Sequence, residues 1–390
     1  MLVVAPFERG RAHGGSQRAT AMAERLEERG AEVEWVTRGV TRGSPGQKAA
    51  ALLLRREPEV VRENTRPRLV VDGRWDAAIA AHSYMAPHLD ALPAGVRRVV
   101  DFHNVEWRVL DALGRGIGGA RGAYKRVQAR LMERFERAVL ASGAAAAMAS
   151  EDELAWAREA GARGTALLVP NVLPRGDVAE ARRIGEARGG GEALRGRGAL
   201  HGREALPAAG ASAEARGGAA GAPLVYVGTL TFPPNVAALL GWLERDWPAV
   251  RAAVPGVELA VAGRCGPGVG EAISAHPGVR ALGFVEDLAE LLVAAPAAVL
   301  PFGGEGGSSL RFLHFALARV PVISTPEATR GLPFAPGLVA ATPGEWAAAV
   351  AACVARDGSV AGAVEDAERA VTALQDDEAP WDRLWEVVAG

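Results

Sequence analysis

The chain has 390 residues, 49% of them hydrophobic and 23% charged, with a formal net charge of −2. That length predicts two domains rather than one, the composition is that of a globular protein, and the charge balance supplies no global basic field for nucleic acid or an anionic membrane. Two cysteines, Cys265 and Cys353, exclude a disulfide framework or a cysteine-built zinc site, and no stretch reaches the ~18 apolar residues of a membrane span.

The start, Met1 to Pro6, has no basic n-region and no cleavage-site pattern, so it reads as a first strand and a cytoplasmic setting is expected. The strand Leu2–Ala5 leads through Gly10, Gly14 and Gly15 into an amphipathic helix over about Ser16–Arg29, with Ala19, Met22 and Leu26 on one face. Gly30 stops it, and Glu32–Thr37 is the next strand. Further strands are expected at Ala77–Ala80, Val96–Asp101, Ala144–Ala149 and Ala166–Val169, with a helix over Leu131–Ala141. This alternation predicts right-handed crossovers and a parallel sheet.

From Arg175 to Ala222 little occurs beyond Arg, Gly, Ala and Glu, which reads as a flexible linker or insertion with some helical tendency over Glu180–Arg188. A second alternating block follows. Its strands are Leu224–Val227, Glu258–Ala262, Val279–Leu282, Ala297–Pro301 and Val320–Ser324; its helices are Asn235–Trp247, Leu288–Ala294 and Leu310–Ala318. Two such α/β domains, 1–174 and 223–369, bind ligands outside the carboxyl ends of their strands, so an interdomain cleft is expected.

No GxxxxGK[ST] loop, HExxH helix or CxxC pair occurs. Gly116–Gly119 follows a helical segment and lacks dinucleotide-binding spacing. Gly14-Gly15 opens a helix after a strand, where backbone N–H groups favour an anion; a tight turn explains the pair equally well. Gly303–Ser309 follows a buried strand and enters a helix, which suits a phosphate, or else a loop with a serine cap. His103 stands just past the end of a strand, where catalytic groups are presented, though a histidine satisfying loop backbone reads the same way. His314, in the helix after the glycine loop, is either a ligand contact or a packed residue.

In order, several segments carry a more specific signal: HNVEWR (His103–Arg108), ERFERAVLASG (Glu133–Gly143), SEDE (Ser150–Glu153) and VPNVLP (Val169–Pro174). The second half adds YVGTLTFPPN (Tyr226–Asn235), ELAVAGR (Glu258–Arg264), GVRALGFVEDL (Gly278–Leu288) and Val299–Leu332. The set resembles the GT-B glycosyltransferases, specifically glycosyltransferase family 4, over nearly the whole chain outside 175–222.

The resemblance implies two Rossmann-like domains and transfer of a sugar from a nucleotide-diphosphate sugar, with retention and without a bound metal or resident cofactor. His103 and Glu305 would be catalytic. Gly14, Gly15, Gly228, Thr229 and Arg264 would bind the donor, with Phe284 and Val285 at the nucleobase. Gly306, Gly307, Ser308, Ser309, Leu310, Arg311 and His314 would complete that site. The unidentified acceptor would be a polysaccharide, lipid-linked sugar or natural product; no nucleic acid and at most peripheral membrane contact are expected, and the oligomeric state is left open. The segment 370–390, with Trp381 and Trp385, would pack back on the first domain.

One departure is visible. His314 occupies the position at which the family places a ribose-binding glutamate, and the earlier acidic position falls on Gly306, with Glu305 adjacent. An imidazole offers one hydrogen bond where a carboxylate offers two. A catalytically degenerate protein that binds a nucleotide or a partner is therefore the alternative.

Overall fold

The computed structural model describes residues 1–10, 14–39, 57–66, 73–189, 221–302, 310–335 and 337–390. In the first half, strands β1 (Leu2–Ala5), β2 (Glu34–Thr37), β3 (Ala77–Ala81), β4 (Arg97–Phe102), β5 (Ala145–Met148) and β6 (Ala166–Leu168) form one parallel sheet. Its order is β2-β1-β3-β4-β5-β6. Helices α1 (Gly14–Glu27), α2 (Glu59–Thr65), α3 (Glu106–Gly116), α4 (Gly119–Ala141) and α5 (Glu151–Glu159) connect these strands, with a 3-10 helix at Ser83–Ala91.

Both faces of this sheet are covered, which is why its strands are continuously apolar rather than alternating. Val3, Ile79, Val99 and Ala147 pack in one cluster; Leu2, Val4, Ala78, Val100 and Met148 pack in another, against Leu140, Leu154 and Trp156. The run Gly116–Gly119 spans the junction of α3 and α4, where Gly119 takes φ +66.

Helix α6 (Arg175–Gly189) leads out of the first unit. Composition alone predicts a flexible segment over 175–222; its first fifteen residues are instead a packed helix. Ala181 and Ile184 are buried, and a side chain at Gly185 would meet the Leu317 carbonyl oxygen at 2.7 Å. Arg188 donates to the carbonyls of Val293 (3.0 Å), Ala295 (2.9 Å) and Arg319 (2.9 Å). Small residues permit this close approach, so a core contact forms without the large apolar side chains that would announce it. The remaining residues, 190–220, lie outside the described chain.

The second sheet comprises β7 (Leu224–Val227), β8 (Leu259–Ala262), β9 (Val279–Gly283), β10 (Ala298–Leu300) and β11 (Val322–Ser324), all parallel, in the order β11-β10-β7-β8-β9. Helices α7 (Pro233–Arg245), α8 (Trp247–Ala253), α9 (Val269–Ser274), α10 (Ala289–Ala294) and α11 (Leu310–Leu317) belong to it, followed by α12 (Pro343–Ala355). The single helix expected at Asn235–Trp247 is two helices, with Asp246 between them and Pro248 in the first turn of the second. Trp242 packs on Trp247 and Trp346 at ring-centroid distances of 5.6 and 5.2 Å, which fastens α7, α8 and α12 together.

Helices α13 (Gly358–Asp376) and α14 (Ala379–Ala389) close the chain. Helix α14 returns to the first unit and contacts β3, β4, β6 and α1. Trp381 and Leu384 are buried there, Arg97 Nε donates to the Val388 carbonyl at 2.7 Å, and Arg29 pairs with Asp382 at 2.7 Å. Among the described residues no single helix is long and apolar enough to cross a membrane.

Candidate active site

The order of each sheet fixes where a ligand can sit. Crossovers leave in opposite directions at β1/β3 in the first sheet and at β7/β10 in the second, opening a crevice at the carboxyl ends of those strands. Gly14 and Gly15 follow β1, His82 follows β3 and His103 follows β4. Across the cleft, Leu310 begins α11; a side chain at Gly14 would lie 3.8 Å from Leu310 Cδ1. The first described turns of α1 and α11, one from each unit, therefore meet at this point.

On the first-unit side the support is ionic and buried. Arg18, on the inward face of α1, is 3% exposed, and Asp101 in β4 is fully buried. Arg18 donates to Asp101 Oδ1 through Nε (3.0 Å) and Nη2 (2.7 Å). Its Nη1 donates to the Val169 carbonyl (2.8 Å) and to Asn171 Oδ1 (2.9 Å), so the VPN segment is a clamp for this arginine. Asp101 Oδ2 lies 2.7 Å from His103 Nε2. Against the cost of burial, Arg18 and His103 hold the Asp101 carboxyl below the usual carboxylate range. Burial, reinforced by neighbouring His82, pulls the His103 imidazole down to about 3 despite Asp101. With that value the His103 imidazole is neutral near pH 7, and Nε2 is the nitrogen that faces Asp101.

The other nitrogen of His103 is turned toward Gly15. A methyl group at Gly15 would stand 3.4 Å from His103 Nδ1, 3.1 Å from His82 Nε2 and 3.0 Å from the Phe7 ring. The absent side chain thus leaves a notch walled by two imidazoles and a phenyl ring. The two imidazole centroids are 3.8 Å apart, and Tyr84 stacks on His82 at 4.7 Å.

His82 was not legible as a site residue from the motif set, although it obeys the rule that singles out His103, standing one position past a parallel strand. Its φ of 83 and ψ of 144 lie outside the regions open to a non-glycine residue. The strain is held by His82 N donating to the Asp101 carbonyl (3.0 Å) and by Glu106 Oε1, 3.4 Å from His82 Nδ1. Strain of this kind concentrates at ligand sites. Beneath it, buried Glu136 accepts from the Ser83 hydroxyl (2.8 Å) and from the backbone N–H groups of Glu106 (3.0 Å) and Trp107 (3.1 Å). Burial, with Glu106 beside it, raises the Glu136 carboxyl to about 8.

On the second-unit side, Gly228 and Thr229 follow β7. The close packing there requires glycine: a Cβ on Gly263, at φ +150, would stand 1.8 Å from the Gly228 carbonyl oxygen. Arg311 lies over the end of β7, donating to the Val227 carbonyl (3.0 Å) and the Tyr226 hydroxyl (3.3 Å), with its guanidinium 5.6 Å from the Tyr226 ring. Arg264 is beyond β8, its guanidinium 5.3 Å over the Phe284 ring. Phe284 is 61% exposed and neighbours the half-buried Val285, so a flat cation–ring platform stands at the rim. Burial pulls the His314 imidazole down, and Glu180 and Asp177 of α6 oppose that pull. Glu305, Gly306, Gly307, Ser308 and Ser309 lie outside the described residues.

Two parallel α/β units with switch-point crevices meeting at one cleft constitute the GT-B fold. Residues 222–356, which hold the second sheet, match the family of glycosyl transferases group 1. Over its whole length the chain is similar in structure to WaaG, a glycosyltransferase involved in lipopolysaccharide biosynthesis, with 14% identity, 100% of both chains covered and a TM-score of 0.57. It is also similar to Anabaena HepE in complex with UDP-glucose, with 13% identity, 100% of this chain and 99% of that one covered, and a TM-score of 0.56. A UDP-forming α,α-trehalose-phosphate synthase from Burkholderia vietnamiensis shares 11% identity, with 100% and 99% covered and a TM-score of 0.55. No curated protein matches the chain by sequence.

Proposed function

We propose that the chain is a retaining glycosyltransferase that moves a sugar from a nucleotide-diphosphate sugar to an acceptor bound by the first unit. In this reading the second domain, 223–369, holds the nucleotide, and the first, 1–174, presents His103 to the sugar. The observation that carries the reading is the meeting of the two units at Gly14 of α1 and Leu310 of α11, in a chain whose residues 222–356 match the group 1 family. The complex of HepE with UDP-glucose supports a nucleotide sugar as the ligand class.

The division of labour follows from charge. Arg311 at the end of β7 and Arg264 at the rim supply positive charge for a diphosphate. Stabilising a leaving diphosphate as the glycosidic bond breaks lowers the barrier where negative charge develops. By the family resemblance Glu305 is the second catalytic residue, and no metal is assigned a role. His103, neutral and fixed by Asp101, accepts a hydrogen bond from the sugar through Nδ1. The exposed ring of Phe284 offers a face to the nucleobase.

The test is a screen of nucleotide sugars with candidate acceptors, following nucleoside diphosphate release and the anomeric coupling of the product by NMR. Release with an unchanged anomeric configuration is expected. Inverted product would overturn the retaining assignment. Failure of every donor to bind would favour the degenerate scaffold, for which His314 at the ribose position is the specific observation.

A further inference from the structure

We infer that His82 is a specificity residue, which together with His103 forms a receptor for two neighbouring hydroxyl groups of the donor sugar. The inference rests on the donor reading above and adds to it a residue and a chemical demand. Two nitrogens converge on the space over Gly15, His82 Nε2 at 3.1 Å and His103 Nδ1 at 3.4 Å from the position of its missing Cβ. Each ring has its other nitrogen beside a carboxylate: His82 Nδ1 is 3.4 Å from Glu106 Oε1, and His103 Nε2 is 2.7 Å from Asp101 Oδ2.

A carboxylate next to one ring nitrogen places the proton there and leaves a lone pair on the other. Both notch-facing atoms are thus acceptors. Two neighbouring acceptors take donors from the ligand, and a pair of adjacent sugar hydroxyls presents two O–H groups side by side. A phosphate or carboxylate at the same place offers lone pairs to lone pairs, and a deoxy sugar leaves one buried acceptor unmatched. The Phe7 ring closes the third wall with an apolar face, 5.8 Å from the His82 centroid.

The backbone agrees with this role. Arg319 and Arg356 are the other non-glycine residues at positive φ among those described, at φ 54 and 55. His82, at φ 83 and ψ 144, carries the greater strain, in the position that aims its ring at the notch.

Two measurements on the full chain test this. Long-range 1H–15N spectra of histidine-labelled protein at neutral pH, assigned with His82→Asn and His103→Asn, should show the Nδ1–H tautomer for His82 and the Nε2–H tautomer for His103. Either imidazole in the opposite tautomer, or doubly protonated, overturns the receptor. Calorimetry with UDP and UDP-glucose then reads the sugar's own contribution as the ratio of the two affinities. In His82→Phe, which keeps a ring against Tyr84, that ratio should fall about tenfold while UDP affinity holds, the size of one buried hydrogen bond. An unchanged ratio overturns the assignment. His82→Gly, which relieves the backbone, should give the same loss and covers the case in which the phenylalanine variant does not fold. Absence of UDP binding by the wild-type chain would remove UDP as the donor nucleotide, while the tautomers would still decide the receptor.

Discussion

Asp101 Oδ2 and His103 Nε2 lie 2.7 Å apart in the floor of the cleft, and the other oxygen of Asp101 receives two donors from Arg18. One buried carboxylate therefore serves as counter-ion to an arginine and as orienting partner to an imidazole. The arrangement leaves the other nitrogen of His103, Nδ1, turned toward Gly15.

Arg18→Met should destabilise the fold by about 3–5 kcal/mol, since it leaves a buried carboxylate without its cation. Arg18→Met combined with Asp101→Leu should recover much of that loss, because no charge is then left unpaired. Denaturant titrations of the two variants provide the comparison; an equal loss in both would show that the cost is packing rather than charge.

Acid stability carries a signature of His103. Its folded value, about 3, is depressed below the ordinary histidine value of about 6.5, so the unfolded chain binds the extra proton first. This group makes stability fall as pH drops from about 6.5 toward 3. Asp101, also depressed, contributes stability above about 4 that is lost only on stronger acidification. His103→Asn should flatten the dependence of melting temperature on pH across the window of about 3 to 6.5. An unchanged slope would mean that His103 is protonated in the fold.

Glu136 works in the opposite direction. Its folded value of about 8 lies above the unfolded carboxyl value of about 4.3, so stability from this group is present in acid and declines as pH rises between them. Glu136→Gln should remove that decline. Thermal melts at a series of pH values decide it, and a decline that persists in the variant would assign it to another group.

Gly263→Ala should cost at least about 1–3 kcal/mol, because φ +150 suits only glycine and the added Cβ would collide with the Gly228 carbonyl. By displacing Gly228 and Thr229 it should also weaken nucleotide binding. Gly15→Ala meets milder contacts, all at 3.0 Å or more with side-chain ring atoms. It should melt close to the wild type while losing sugar transfer, and a full rate of transfer in that variant would show that the notch is not used.

Removal of residues 190–220 should leave the melt nearly intact, whereas a deletion that extends into 180–189 should not. Ile184→Ala alone is expected to cost about 2–5 kcal/mol, as for other fully buried aliphatic truncations. Equal melts for the two deletions would contradict the packing of α6.

Much of the fold is legible because both sheets are parallel and covered on both faces, which produces short apolar runs such as Leu2–Ala5 and Leu259–Ala262 at regular spacing. Helix α6 is not, because its core contacts come from Ala181, Ile184 and the bare surface of Gly185, and its composition matches a solvated segment. At the site, His103 and the Gly14-Gly15 turn stand where strand ends predict. His82 is not legible, because its importance lies in a backbone angle and in a neighbour twenty-one positions along the chain, neither of which has a motif. Arg18 left a trace, a charged residue on the apolar face of α1, and Asp101 left another, a carboxylate inside a buried strand. Neither alone says that the two are paired.

The most direct test of the account is a calorimetric titration of the chain with UDP, GDP, TDP and ADP and their common sugars. The account predicts micromolar binding of one diphosphate, weakened by Arg264→Ala, with tighter binding when the sugar is attached. No binding of any nucleotide would contradict it and leave a GT-B scaffold without a donor site.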